Sequence, residues 1–131
     1  MATGEVNRVC VNIGAISNET RPLFTAPSVA NGGGLTVLAA KAVMGAGGTV
    51  ASSLAIVKGT INAGGTFVVN GTIAAAIGGT AAPFLGANVT KTFTIGSSPF
   101  VSAGETVAVV EGNVQAGVVV TIVEVQYVQG R

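Results

Sequence analysis

Apolar residues along this chain fall in short, β-branched runs separated by Gly, Asn, Pro and Ser, with no sustained helical period. Val9, Val11 and Ile13 alternate with Cys10, Asn12 and Gly14, the period of two expected of a first strand with one face buried. From Leu35 onward candidate strands follow quickly: Leu35–Met44, Val50–Lys58, Thr66–Val69 with a continuation to Ile73, Val89–Ile95, Glu105–Glu111 and Val118–Val128. Turn signals separate them at Gly45–Gly48, Asn62–Gly65, Asn70-Gly71, Gly78-Gly79, Gly96–Pro99 and Glu111–Gly117. The one helical competitor, Thr72–Ile77 with its Ala74-Ala75-Ala76, is too short for more than a turn or two. Strands at this spacing predict an all-β fold, an antiparallel β-sandwich or barrel.

Two segments depart from the common pattern. In the last strand Val119, Thr121, Val123, Val125 and Tyr127 define a core face, whereas Val118, Val120 and Ile122 make the opposite face apolar only at its beginning, before Glu124 and Gln126. Those three residues are therefore expected to meet a neighbouring subunit. Ser17–Gly34 contains Pro22, Pro27 and Asn31-Gly32-Gly33-Gly34, which disfavour regular pairing and predict an extended arm; Leu23, Phe24 and Val29 are its candidate partner-binding side chains. An edge segment folded onto its own sandwich is the alternative. The expected division is an N-terminal strand and arm over residues 1–34 and a β-sandwich over residues 35–131.

Composition narrows the function. The 131 residues are 8% charged and include no His, Asp or Trp and one Cys; mean hydropathy is +0.70. Ordinary soluble domains are about 25% charged, so apolar surface is left over for a bilayer, an oligomer or a large assembly. A membrane span is not expected, because Gly, Ser, Thr, Asn and Pro interrupt the uncharged windows 42–57 and 59–90 before about 17–25 apolar residues accumulate. Met1-Ala2-Thr3-Gly4-Glu5 shows no secretory signal pattern. Acid–base and nucleophilic catalysis draw on His, Asp, Glu and Lys held near one another; here the five acids are all Glu and none has a His to work with, so no enzyme activity is expected, and no cofactor or metal is implied. The six cations and five glutamates are scattered singly, which builds no nucleic-acid-binding stripe.

Individual motifs have plain readings. Cys10, in a valine-rich run, is expected to be a small buried hydrophobe. Neither Gly32-Gly33-Gly34 nor Gly45-Ala46-Gly47-Gly48 precedes a Lys-Ser/Thr pair, which argues against a phosphate loop. Asn18-Glu19-Thr20, Asn70-Gly71-Thr72 and Asn88-Val89-Thr90 match the glycosylation triplet, and turn residues are the simpler reading. Gly59, Gly65 and Gly71 sit six apart, but the period fails on both sides, so hairpin turns are preferred to a β-helix. Glu105 and Glu111 bracket a strand and are expected to be solvated strand ends.

Phe100-Val101-Ser102-Ala103-Gly104-Glu105-Thr106-Val107, followed by Gly117-Val118-Val119-Val120-Thr121-Ile122-Val123-Glu124-Val125-Gln126-Tyr127, resembles the closing strands of small jelly-roll proteins of tailed bacteriophages, in particular capsid decoration (cement) proteins. The resemblance covers about the last thirty residues. It implies a jelly-roll sandwich made in the host cytoplasm and carried on the outer capsid surface of the virion. Its implied partners are itself, as a homotrimer, and the major capsid protein, whose neighbouring subunits it would fasten. A tail, fibre or other polymeric subunit shares the composition and would differ by open-ended polymerisation. A carbohydrate-binding jelly roll is the third class, weakened by the absence of Trp and the single Tyr.

Overall fold

The computed structural model describes residues 5–13, 19–27, 33–44, 53–78, 89–111 and 121–130. They form nine strands: β1 (Asn7–Asn12), β2 (Thr20–Thr25), β3 (Leu35–Met44), β4 (Ser53–Ile61), β5 (Phe67–Gly78), β6 (Val89–Thr92), β7 (Phe100–Val101), β8 (Thr106–Glu111) and β9 (Thr121–Gln129). One antiparallel sheet has the order β1-β9-β3-β6, with the short β7 also pairing β3; the other has the order β2-β8-β4-β5. Leaving β7 aside, the pairs β1–β9, β2–β8, β3–β6 and β4–β5 nest inside one another in sequence, and β3–β9 and β4–β8 close the two sheets. A nested four-pair ribbon wound into two four-stranded sheets is the jelly roll.

The core lies between the sheets. Leu35, Val37, Ala40, Ala42, Val101, Val123 and Val125 face Leu54, Ile56, Ile73, Ala74, Val107 and Val109 from the other side. In β3 the inward set shifts from Leu35 and Val37 to Ala40 and Ala42, because the ladder to β9 skips Leu38, which stands 47% exposed. Without that one-residue bulge the remainder of β3 would turn its apolar residues outward. After β6 the chain crosses between sheets: Phe93 N donates to Ala40 O on one side, and Ile95 bridges Ala74 on the other, with Gly96 N bonded to Ile73 O. Phe93 is buried at this crossing.

β3 and β8 lie close to their expected spans, and β9 ends within a residue of it. β4 runs past Lys58 to Ile61, and the turn at Asn62–Gly65 forms as expected: Asn62 Oδ1 accepts from Gly64 N and Thr66 N, each at 3.0 Å. Asn70-Gly71 is not a turn, and Thr72–Ile77 is not helical; both lie inside the twelve-residue β5. The ladder absorbs Asn70 as a bulge between Val69↔Gly59 and Gly71↔Lys58, and its side chain bonds Glu105 instead. Pairing with β4 thus overrides the local Asn-Gly and Ala-Ala-Ala preferences.

Within Ser17–Gly34, Thr20–Thr25 is extended but paired, forming edge strand β2 against β8 around a bulge at Leu23. Pro22 is tolerated because β2 lies at the edge of its sheet. Gly34, at φ +75°, then starts β3: its N bonds Pro27 O at 2.8 Å, and an added Cβ would lie 2.6 Å from Val101 O. The turn signals at 45–48 and, past Glu111, at 112–117 lie outside the described residues.

Candidate interaction surfaces

Strand alternation gathers most of the described ionisable residues into three settings. At one end of the sandwich Lys58 shares the inward side of its sheet with Val107, and its ammonium donates to the carbonyl oxygens of Phe100 and Ser98. Beside it Glu105 accepts from Asn70 Nδ2 at 2.8 Å and from Ser102 N at 2.9 Å. Burial opposes the charge on Glu105, but these two hydrogen bonds and the Lys58 charge outweigh it and lower its pKa below the ordinary 4.5. Toward the other end Glu111 is opposite core-facing Leu54 and is 1% exposed, so it is not the solvated strand end expected. Its register position on the inward face is the reason. Arg21 lies nearby in the paired strand, bonded to Ile13 O and Glu19.

The third setting is the outer face of the β1-β9-β3-β6 sheet. Arg8 Nε and Lys41 Nζ lie 3.6 and 3.7 Å from Glu124 Oε1, and Gln126 Nε2 donates to the same oxygen at 3.1 Å. The Gln126 hydrogen bond and the flanking cations lower the Glu124 pKa. Cys10 is exposed, with Sγ 3.6 Å from Glu124 Oε2. The expectation of a buried Cys10 fails because alternation in β1 assigns Val9 and Val11, not Cys10, to the inner side. Ile122, one of the expected oligomer contacts, is 38% exposed next in line to Glu124; Val118 and Val120 lie outside the described residues.

The outer face of the β2-β8-β4-β5 sheet has a different character. Ladder pairing places Pro22, Ala108, Val57 and Thr72 in one cross-strand row, and Thr25, Thr106, Gly59 and Val69 in the next. Ile61 and Phe67 complete the face at the hairpin end, while Ala55 and Val110 lie at the far end. Among the described residues in these rows no side chain is charged. The hydroxyls of Thr25 and Thr106 satisfy one another at 2.9 Å. Ile61 is 51% exposed and Val69 49%, and Val68 on the same hairpin is also exposed.

Sequence reasoning missed this hairpin surface. Its signal was present in the charge-free span from 59 to 90 and in the apolar residues placed on both sides of Asn62–Gly65. The residues chosen for docking are engaged elsewhere. Phe24 turns inward, stacking on Tyr127 of the opposite sheet, and Leu23 packs against the core from its bulge. Neither forms a free arm, because β2 is paired with β8 along its length; Val29 lies outside the described residues.

Among the described residues no three His, Cys, Asp or Glu gather into a metal-binding group, and no helix is long and apolar enough to cross a membrane. The chain matches no protein-family model, no curated protein and no solved structure.

Proposed function

We propose that this chain is a structural virion protein that decorates a tailed-phage capsid and stabilises it by bridging major capsid subunits. The observation that carries the reading is the nested jelly-roll connectivity, an architecture shared by viral capsid, lectin and cupin domains. The sequence separates those classes. Cupin-type metal chemistry needs imidazole ligands, and the chain has no His. Sugar platforms rely on exposed Trp and Tyr rings, whereas the chain has no Trp and its single Tyr, Tyr127, stacks on Phe24 between the sheets. A protein–protein role suits the low charge and the exposed Ile61, Val68 and Val69 of the β4–β5 hairpin.

The test is binding of the purified protein to heads of the phage whose genome encodes it, followed by sedimentation and electron microscopy. Saturable coating of the heads, together with raised resistance of the coated heads to heat, is expected. Failure to coat heads, or labelling confined to tails or fibres with open-ended polymers, would replace this reading with that of a tail or fibre subunit.

A further inference from the structure

We propose that two copies of this chain pair edge to edge through β1, antiparallel about a two-fold axis at Cys10, so that the β1-β9-β3-β6 sheet continues from one copy into the other. The proposal rests on the assembly reading above and names one self-contact within it.

β1 is where the sandwich is left open. A sheet edge carries unpaired N–H and C=O groups that template another strand, and folded proteins blunt it with proline, bulges, short strands or a covering segment. Among the described residues the other edges are blunted in these ways. β2 carries Pro22 and a bulge at Leu23. The ladder of β5 slips three times, and on its far side Ala74 bridges Ile95 while Gly96 N bonds Ile73 O. β6 and β7, on the other side of the sheet that holds β1, are four and two residues long. β1 has none of these devices: Asn7–Asn12 pairs β9 without a register shift, contains no Pro or Gly, and has no described strand along its second side. Its one charge is drawn off the edge as well, because Arg8 Nε lies 3.6 Å from Glu124 Oε1 on β9.

The side chains fit a second copy of the same strand. In a two-fold contact residue i meets j and j meets i, so the strand must complement its own reverse. Val9-Cys10-Val11 reads the same in both directions. With the axis at Cys10, Val9 of each copy faces Val11 of the other on the inner side, where both are only half-buried in one chain and Val11 already packs against the core. On the outer side Cys10 faces Cys10, and each Arg8 faces a neutral Asn12. An axis at Val9 would set Asn7 against Val11, and an axis at Arg8 would set two guanidinium groups against each other. Apolar matching and charge thus select one register and, with it, a second β1 as the occupant.

A single strand pair is a narrow contact, so sedimentation velocity is run over about 5–500 μM, with the mass expected to climb from 12.7 kDa toward twice that value. Cys10→Lys should abolish the climb, because two ammonium groups would face each other across the ladder. The Cys10 side chain is exposed, so this variant keeps the circular dichroism of the parent. Ile61→Lys, on the exposed β4–β5 hairpin, should pair normally. Register is read by disulfide trapping in a Cys10→Ser background. Chains carrying Arg8→Cys and Asn12→Cys should cross-link with each other under diamide when mixed, since directly opposed Cα atoms lie about 4.5–5.5 Å apart. Neither should cross-link with itself, like positions being about 13 Å apart along the ladder.

A mass fixed at one chain, a mass of three chains, a climb unchanged by Cys10→Lys, or self-cross-linking of the Arg8→Cys chain with no mixed product would each overturn the proposal. A chain that stays monomeric yet loses head binding in Cys10→Lys gives the β1 edge to a strand of the capsid, which overturns it too. A protein that pairs but does not coat heads keeps this contact and loses the capsid reading; one that coats heads while remaining monomeric does the reverse.

Discussion

Phe24 and Tyr127 stack across the sandwich, with ring centroids 5.6 Å apart and planes 26° from parallel, one ring from each sheet. The contact ties edge strand β2 to the interior strand β9, which are about a hundred residues apart in sequence. A residue expected to reach outward for a partner instead fastens the two layers together. Phe24→Ala should lower stability by about 2–3 kcal/mol, somewhat below the loss for a fully buried Phe because this ring is only partly buried. Chemical denaturation measures it, and Phe24→Leu should recover more than half of the loss.

Acid should weaken the fold through Glu105 and Glu124. Both carboxyls have lowered pKa values: Glu105 because the Asn70 and Ser102 hydrogen bonds and Lys58 overcome its burial, Glu124 chiefly because of Gln126 and its flanking cations. A carboxyl whose folded pKa lies below its unfolded value adds stability that is fully present above the unfolded value, and that stability is lost as pH falls through the folded one. Melting temperature should therefore hold from pH 7 to 5 and drop below about pH 4.5. Glu105→Gln should be less stable than the parent at pH 7 and should show a shallower acid decline. An unchanged pH profile would remove Glu105 from this account.

Two glycines with similar backbone angles should respond differently to alanine. Gly34 (φ +75°) and Gly104 (φ +84°) both occupy the left-handed region, which costs an L-residue about 1–2 kcal/mol. At Gly104 the added methyl meets nothing within 4 Å, so that cost is the whole effect. At Gly34 the methyl would also lie 2.6 Å from Val101 O and 2.8 Å from the Phe100 ring, so β7 must move away from β3. Gly34→Ala should lose at least about twice what Gly104→Ala loses in a denaturant titration.

Cys10 should react stoichiometrically with a thiol reagent in the folded protein, without denaturant, because its side chain stands on an outer sheet face. Cys10→Ser should change stability by no more than about 0.5 kcal/mol. Protection of the thiol until unfolding would restore the buried placement that the valine-rich run suggests.

The sandwich was legible in the alternation itself. Val9 and Val11 in β1, and Val123, Val125 and Tyr127 in β9, lie on the sides that a period of two assigns to them. What could not be read was where the ladder slips. Leu38, Asn70 and Leu23 are bulge residues, and a bulge is decided by the partner strand, which local sequence does not contain. The same reason explains Asn70-Gly71, a turn pair by local preference that is held straight by β4. Surface chemistry was harder still. The sequence showed too few charges for an ordinary surface, but only the strand order gathers the uncharged residues of four separate segments onto one side of one sheet.

The nested order of the pairs also sets a schedule for folding. The Ile61–Phe67 pairing closes a loop of a few residues, whereas Asn7 and Tyr127 are almost the whole chain apart. Chain entropy lost on closing a loop grows with its length, so the β4–β5 hairpin forms at the least cost, and each later pair is brought together by the one inside it. Such non-local topologies fold in milliseconds to seconds, leaving time in which the hairpin is formed while its sheet is not. In kinetic terms, substitutions near the Asn62–Gly65 turn should slow refolding, and those in β1 should mainly speed unfolding. The hairpin that carries exposed Ile61, Val68 and Val69 is then also the first to take shape, and during synthesis the second edge of β4 stays open until β8 has been made.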